Sequence, residues 1–478
     1  MRFIGNAPVD GEVRAIASGA LATGEAVIVN SDGTVSVVSS TIGTASIFQE
    51  ANSFYIGADF DSNSNKVVVA YGVGSVGSCV VGTVSGTSIS FGTPVVFESS
   101  ADTYYNSVVF DPSNNKVVVA YAPAQSGSYF YGTAVVGTVS GTSISFGTAT
   151  VFQSAACEAI NAVFDSNSNK VVIAYRDSPS GDHGKAVVGT VSGTSISFGT
   201  PAVYNAGRVD WITAAFDSNS NKVVIAYRDV ANSLYGTAIV GTVSGTSISF
   251  GSEVVFNTAQ VRHNSLTFDS NSNKVVISYR DEGNSSYGTA IVGTVSGTSI
   301  SFGTPVVFES AALEYIGSAF DSSSNTVFLA YNDVGNSDYG TAIVGTVSGT
   351  SISFGTPFVF ESGDTRYINS VYDSNSNAMA IVYADSGNSA YGTSVVVDVG
   401  GVDRPLTAEN FIGFANSGYA DGQSAAINST CMVDSNQTSL TAGQTYYVQT
   451  SGALGTTPAD PSVVAGTAIS SNSIIVKG

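Results

Sequence analysis

Several residue types recur at positions where they could do chemistry. Arg176, Arg228 and Arg280 occupy one repeat position, each followed by Asp. Clustered guanidinium groups can grip a substrate carboxylate, but an Arg-Asp pair repeated along a chain more often tethers neighbouring loops. The motif Asp-x-Asn-x-Asn, as in Asp217, Asn219 and Asn221, offers oxygens at alternate positions. Calcium usually takes more than one carboxylate and a glycine at the bend. Each copy here has a single carboxylate, and Lys follows in five of them, as at Lys66. The motif therefore reads as an Asx-type hairpin turn. His183 and His263 stand apart from any Gly-x-Ser-x-Gly motif and are too few for a zinc set, so both read as solvated loop residues. The glycines fall in hairpins rather than between a strand and a helix, which removes phosphate-cradling loops. No catalytic residue, metal or cofactor is expected.

A second set varies from repeat to repeat. Six residues before a recurring Asp stand Tyr55, Tyr105, Ala159, Trp211, His263, Tyr315 and Tyr367. Glu158, Asp210, Arg262, Glu314 and Arg366 immediately precede five of them. Aromatic faces beside carboxylates and guanidinium groups suit sugar stacking and hydroxyl hydrogen bonds. On that reading Tyr55, Tyr105, Trp211, His263, Tyr315, Tyr367, Arg262 and Arg366 bind a ligand. On the other, the rings wedge between adjacent units as packing.

The elements that carry these side chains follow from the repeat. A Phe/Tyr-Asp pair ends at Asp61, Asp111, Asp165, Asp217, Asp269, Asp321 and Asp373, with spacings of 50, 54, 52, 52, 52 and 52. Each unit parses into four strands. Strand A ends in Phe-Asp, B resembles KVVVAY, C resembles TAIVGTV, and D resembles TSISFGTPVVF. B and C are nearly continuous apolar runs, as in strands covered on both faces. D alternates, with Ile89 and Phe91 between serines, as in a half-exposed outer strand. Four-stranded units of this length predict an all-β fold, a seven-bladed β-propeller. The GTSISFG segment occurs only six times, and Gly43-Thr44-Ala45-Ser46-Ile47-Phe48 stands at the offset where the missing outer strand would lie. The N-terminal strand is therefore expected to close the last blade as a velcro. The DSNSN and VSG turns repeat almost unchanged, whereas the D–A segments differ in every unit. One face should be monotonous and the other diversified, with D–A and B–C loops on the latter.

Composition agrees. The 478 residues include 52 glycines, 43% apolar residues and only 11% charged ones, which disfavours a helical or disordered chain. A net charge of −20 argues against nucleic-acid binding. Cys79, Cys157 and Cys431 are an odd count without metal spacing, so no disulfide framework is expected. No apolar run reaches the roughly 20 residues of a membrane helix, and MRFIGNAPVDGEV has no signal-peptide core. Synthesis in a cytoplasm without membrane insertion is expected.

Residues 1–38 hold a hairpin, AVIV-NSDG-TVSVV, and 403–478 hold short strands such as TYYVQ, SVVAG and SIIVKG. These two segments are expected to form one small β-domain, with the propeller, 39–402, inserted in it. The tail LTAENFIGFANSGYADGQSAAI…SLTAGQTYYVQTSGALGTTPADPSVVAGTAISSNSIIVKG resembles the terminal module of tailed-phage virion proteins of marine or cyanobacterial type. The hairpin GALATGEAVIVNSDGTVSVV is similar to the opening of that module, and Gly443-Gln444-Thr445-Tyr446-Tyr447-Val448-Gln449 is its most specific phrase. The resemblance implies a nonenzymatic virion protein made in the host cytoplasm. Its terminal module would attach to other virion proteins and its propeller would contact a host-surface glycan or protein receptor. A capsid-decoration or tail piece without a ligand is the alternative. A propeller glycosidase is a third, requiring two carboxylates about 5 to 9.5 Å apart, although the Ser-x-Asp-x-Gly-x-Thr-Trp boxes of sialidases are missing.

Overall fold

The computed structural model describes residues 12–18, 20–30, 33–38, 42–124, 130–398, 406, 408–449, 452–458 and 462–477. Residues 1–11 and the junctions 39–41 and 399–405, where the domain boundaries were expected, lie outside the described residues. The chain separates into two compact units, 42–399 and 1–41 with 400–478.

The larger unit is built from repeated antiparallel four-stranded sheets. The third shows why the sequence folds so. Strand A ends at Asp165, whose Oδ1 accepts the backbone N–H groups of Asn167 and Ser168 at 2.9 and 3.0 Å. Asn169 then takes a left-handed φ of 54°, a conformation that asparagine tolerates, and the chain reverses into B, Lys170–Asp177. The same turn forms at the other six Phe/Tyr-Asp pairs. These carboxylates are thus consumed by their own turns. B pairs in register with C, His183–Ser192, and Val171, Val172, Ile173 and Ala174 are all fully buried. The outer strand comes in two pieces along C: Ser195–Phe198 pairs with its second half and the start of Ala202–Asp217 with its first. Ile196 is buried between exposed serines, as the alternation requires.

The D–A segments are strands, not the loops expected above. Ser46–Asp61, Thr150–Asp165, Ala202–Asp217, Val254–Asp269, Val306–Asp321 and Phe358–Asp373 each run unbroken for 16 residues. The first half of each is the outer strand of one sheet and the second half the inner strand of the next. Only Val95–Glu98 and Thr103–Asp111 are separate. Backbone groups leaving one ladder enter the next at once, so no loop is needed. The last sheet takes its outer strand from the chain's first: Tyr391, Gly392, Thr393 and Ser394 pair with Asn52, Gln49, Ile47 and Ser46.

Neighbouring sheets are joined by one aromatic pair per repeat. An outer-strand ring packs on a fully buried Tyr of the next sheet: Phe48–Tyr71, Phe97–Tyr121, Phe152–Tyr175, Tyr204–Tyr227, Phe256–Tyr279, Phe308–Tyr331 and Phe360–Tyr383, with centroids 5.0 to 5.4 Å apart. Such pairs add to their area burial. At the rim, backbones approach so closely that a Cβ on Gly92 would lie 1.9 Å from the Thr142 carbonyl oxygen of the next repeat. At Gly355, where no further GTSISFG follows, that approach is missing.

In the smaller unit both chain ends share a sheet. Its order is Glu12–Ile16, Ser424–Asn428, Phe411–Ala415, Ala26–Val29 and Val35–Val37. The hairpin between the last two carries Gly33 at φ 82°. A second five-stranded sheet comprises Val433–Asp434, Ile474–Val476, Val463–Ala468, Thr445–Val448 and Leu454–Gly455. Ile28, Phe411, Phe414, Tyr446, Val448 and Ile474 form a core common to the two sheets.

Candidate functional site

The seven positions singled out by sequence share a backbone irregularity. Tyr55, Tyr105, Ala159, Trp211, His263, Tyr315 and Tyr367 all have φ between 49 and 55°. Each sits where the A–B ladder slips, as between Glu158 and Asn161 opposite Arg176 and Ala174. A bulge with a left-handed residue re-aims a side chain, and for bulky residues this conformation is rare and costly. The re-aimed rings meet one another around the unit's axis. Successive centroid separations are 4.9 Å for Tyr105–Tyr55, 5.0 Å for Tyr55–Tyr367, 5.4 Å for Tyr367–Tyr315, 5.3 Å for Tyr315–His263 and 4.2 Å for His263–Trp211. Ala159 leaves the one gap. Tyr105 and Tyr367 also pack against buried clusters shared by adjacent sheets, beside the Phe/Tyr pairs described above.

Two cavities lie along this axis. One of about 190 Å³ is walled by the rings and the row beneath them, including Ile56, Asn106, Ile160 and Asn264. The second, about 390 Å³, is lined by the inner strands of all seven repeats. Asp59 is the charged residue lining it; burial raises its carboxyl to about 6 despite hydrogen bonds from the Phe110 and Phe60 amides.

Burial raises the phenols of Tyr55, Tyr105, Tyr315 and Tyr367, Tyr315 to about 12, so all are neutral at physiological pH. His263 is not the solvated loop residue expected from sequence. It lies within a strand, is 8% exposed, and its Nδ1 accepts the Tyr315 N–H at 3.1 Å. Burial, then the charges of Arg280, Arg262 and Arg228, lower it from 6.5 to about 3. His183 likewise opens a strand rather than lying in a loop. The sign for stability follows. Between pH 6.5 and 3 the unfolded chain binds the His263 proton and the folded chain does not, so stability falls as pH drops through this window. We predict that wild type loses stability there with a limiting slope of roughly 1.4 kcal/mol per pH unit relative to His263→Phe. Parallel urea curves at pH 6.5 and 4 check this; equal pH dependence of the two proteins would refute it.

The residue preceding each ring position faces a partner on strand B. In repeats three to six these facing pairs are polar: Glu158–Arg176, Asp210–Arg228, Arg262–Arg280 and Glu314–Asn332. Arg176 bridges Glu158 of its own sheet and Asp210 of the next, and Arg228 reaches Asp210 at 2.6 Å. Burial acts to raise the Asp210 carboxyl, but the Arg228 hydrogen bond and the charges of Arg176 and Arg228 outweigh it and hold it below its ordinary value. Arg280 contacts Glu282 at 3.2 Å and Glu314 at 3.3 Å. Arg176 and Arg280 therefore link neighbouring sheets, through these carboxylates rather than through the Asp that follows each Arg, whereas Arg228 pairs within its own sheet.

In repeats seven, one and two the facing pairs are Arg366–Ala384, Phe54–Gly72 and Tyr104–Ala122. Small residues replace the B-strand arginine, and at Ala384 a recess of about 450 Å³ opens between the last and first repeats. Its walls include Phe54, Tyr55, Tyr104 and Tyr367, with Arg366 and Asp102 as charged groups. Tyr104 lies 5.3 Å from Tyr55 and 6.1 Å from Phe54 between ring centroids. Arg366 is 54% exposed and bonds Asp364 at 2.8 Å. The Asp102 Oδ1 is buried without a hydrogen-bond partner.

Of the residues proposed from sequence, Tyr55, Tyr367 and Arg366 line the recess. Tyr105, Trp211, His263 and Tyr315 line only the axial cavity, and Arg262 is exposed against Glu282 at 3.0 Å. Sequence reasoning passed over Phe54, Tyr104, Asp102 and Ala384. The available signal was Gly72, Ala122 and Ala384 standing where other repeats carry Arg or Asn. Among the described residues no cluster of three or more His, Cys, Asp or Glu could hold a metal.

No protein-family model and no curated protein matches this chain. Among solved structures it is similar to the BP39L lectin from Burkholderia pseudomallei, with a TM-score of 0.56 at 11% identity over 74% of this chain and 97% of the lectin. A protein of unknown function from Dyadobacter fermentans gives a TM-score of 0.46 at 10% identity, over 79% and 98% of the two chains. A triple arginine-to-alanine mutant of AofleA from Arthrobotrys oligospora gives 0.42 at 11% identity, over 69% and 94%. At this identity the likeness to BP39L concerns the fold alone.

Proposed function

We propose that 42–399 is a seven-bladed β-propeller that binds carbohydrate in the recess between its last and first blades. The observation that carries this is the recess itself, where Ala384 vacates space that Arg176, Arg228 and Arg280 fill elsewhere. It combines several aromatic walls with one guanidinium and one carboxylate. That is the balance of stacking surface and few polar groups that sugar sites use. A fold shared with a lectin supports the same reading. Asp102 is the one carboxylate among the lining residues, whereas glycoside hydrolysis generally takes two, so the proposal is binding without catalysis.

Screening the full chain on a glycan array and titrating the best ligand tests this. Asp102→Ala and Tyr104→Ala should each weaken binding at least about tenfold, as expected on losing a ligand hydrogen bond or a stacking face, with an unchanged far-UV spectrum. Retained binding by both variants would place the site elsewhere, and no glycan retained by wild type would reject the reading. The resemblance of the terminal segments adds the proposal that the smaller unit attaches this propeller to a phage particle. Mass spectrometry of purified virions that lack the protein would overturn it.

A further inference from the structure

We infer that the recess between the last and first repeats selects uncharged glycans and turns away those that carry a carboxylate, sulfate or phosphate. This selectivity rests on the carbohydrate reading of the recess and names the class of ligand for that site.

Charge is divided unevenly among the repeats. At the end of the sheets that carries the ring positions, repeats three to five hold a group of cations from Arg176 to Arg280, each with a carboxylate beside it. Repeats seven, one and two, which wall the recess, carry Arg366 alone at that end. Their lysines, Lys66 and Lys116, pair with Asp61 and Asp111 at the opposite end of strand B. Against that one guanidinium stand Glu50, Glu98, Asp102, Glu361, Asp364 and Asp385.

The guanidinium is already engaged. Arg366 donates to the Asp364 Oδ2 through Nε at 3.1 Å and through Nη2 at 2.8 Å, which compensates its charge and occupies one side of its fork. Asp385 reports the balance that remains. It stands between Ala384 and Ser386, both of which line the recess. Burial, then the charge of Glu361, raise its carboxyl above the ordinary value, and Asp364 adds to the shift against hydrogen bonds from the Asn388 and Gly387 amides. Glu361 itself accepts the neutral Tyr383 hydroxyl at 2.9 Å. Asp102 brings a further carboxylate into the wall of the recess.

These charges decide between ligand classes. An anionic glycan gains a guanidinium that is already paired and meets an excess of negative charge, whose reach is about 8 Å at physiological ionic strength. An uncharged glycan meets the same aromatic walls and the same remaining Arg366 donors without that repulsion. Like charge set against the wrong ligand confers specificity without adding affinity for the right one. The chain's net charge of −20 extends the same bias to the approach of a charged ligand.

The full chain is titrated with the best glycan from the array and with its charged or uncharged counterpart, a hexose against the matching hexuronate, so that the two differ in a hydroxymethyl group against a carboxylate. At about 0.01 M salt, where charges act over roughly 30 Å, the neutral member should bind at least about tenfold more tightly. At about 1 M salt, where that reach falls to roughly 3 Å, the two affinities should converge. Asp102→Asn and Glu361→Gln each remove one negative charge at nearly constant volume, and each should narrow the gap at low salt by strengthening the acidic member. Should either fail to fold, the salt dependence of the unaltered chain decides. Tyr104→Ala should weaken both members, which ties the discrimination to the recess. An acidic member that binds as tightly as its neutral partner at low salt, with both weakened by Tyr104→Ala, overturns the selectivity while the glycan site stands. A preference for the neutral member that persists undiminished at high salt overturns charge as its cause. Loss of neither member in Tyr104→Ala, or no glycan bound at all, overturns the recess and the selectivity together.

Discussion

A chain lacking residues 1–49 is expected to lose its soluble, cooperatively melting state. The deletion removes Ser46, Ile47, Phe48 and Gln49, which form most of the outer strand paired to Tyr391–Val397. Val395, Val396 and Val397 are at most 1% exposed, and uncovering that strand creates an apolar edge that invites pairing with other chains. It also strips Glu12–Ile16, Ala26–Val29 and Val35–Val37 from the five-stranded sheet of the smaller unit. Phe48→Ala isolates the first effect. Phe48 is 6% exposed and packs 5.2 Å from Tyr71 and 5.4 Å from Phe91 between ring centroids. Truncating it should cost roughly 3 to 5 kcal/mol, comparable with Phe256→Ala at the equivalent position against Tyr279. Urea denaturation of the two variants measures this. A full cost for Phe256→Ala beside a negligible one for Phe48→Ala would mean that the seam does not contribute to the fold.

Arg176→Ala should be the most damaging single change among the charged residues. Its side chain is 11% exposed and holds Glu158 and Asp210 on two sheets, and Asp210 itself is only 10% exposed. Removing one partner of a buried ion pair leaves an uncompensated charge, at a cost of roughly 3 to 5 kcal/mol. Arg228 keeps its own bond to Asp210, which places the expected loss toward the lower end. Adding Glu158→Ala to Arg176→Ala should recover part of it, because Glu158 has lost its guanidinium partner. Arg176→Lys should not rescue, since one ammonium cannot reproduce a planar fork spanning two carboxylates. A loss below about 0.5 kcal/mol for Arg176→Ala would identify the network as a solvated surface pairing.

Much of this architecture is legible in the residues themselves. The Asx turn after each Phe/Tyr-Asp pair is local chemistry: a carboxylate, two following amides and an Asn that accepts a left-handed φ. The apolar runs of B and C and the alternation of Ile196 with serines encode which strands lie inside and which outside. Six copies of GTSISFG against seven Phe/Tyr-Asp pairs point to an outer strand supplied from elsewhere, and Ser46–Asp61 pairs there. The ring positions are also visible, as an aromatic at a constant offset in six of the seven repeats.

Their use is not visible. That D–A segments run as unbroken strands depends on two ladders meeting end to end, and variable sequence there imitates a loop. His263 looks like any loop histidine until Tyr315 of the next repeat, 52 residues on, donates to its Nδ1 and neighbouring sheets exclude water from it. The recess depends on Ala384 facing Arg366 across a ladder. Sequence by itself therefore determined the repeating strand and turn, because these rest on contacts within a few residues. Only the tertiary structure decided which side chains converge, because convergence around an axis depends on groups about fifty residues apart being held by the packing of one sheet against the next.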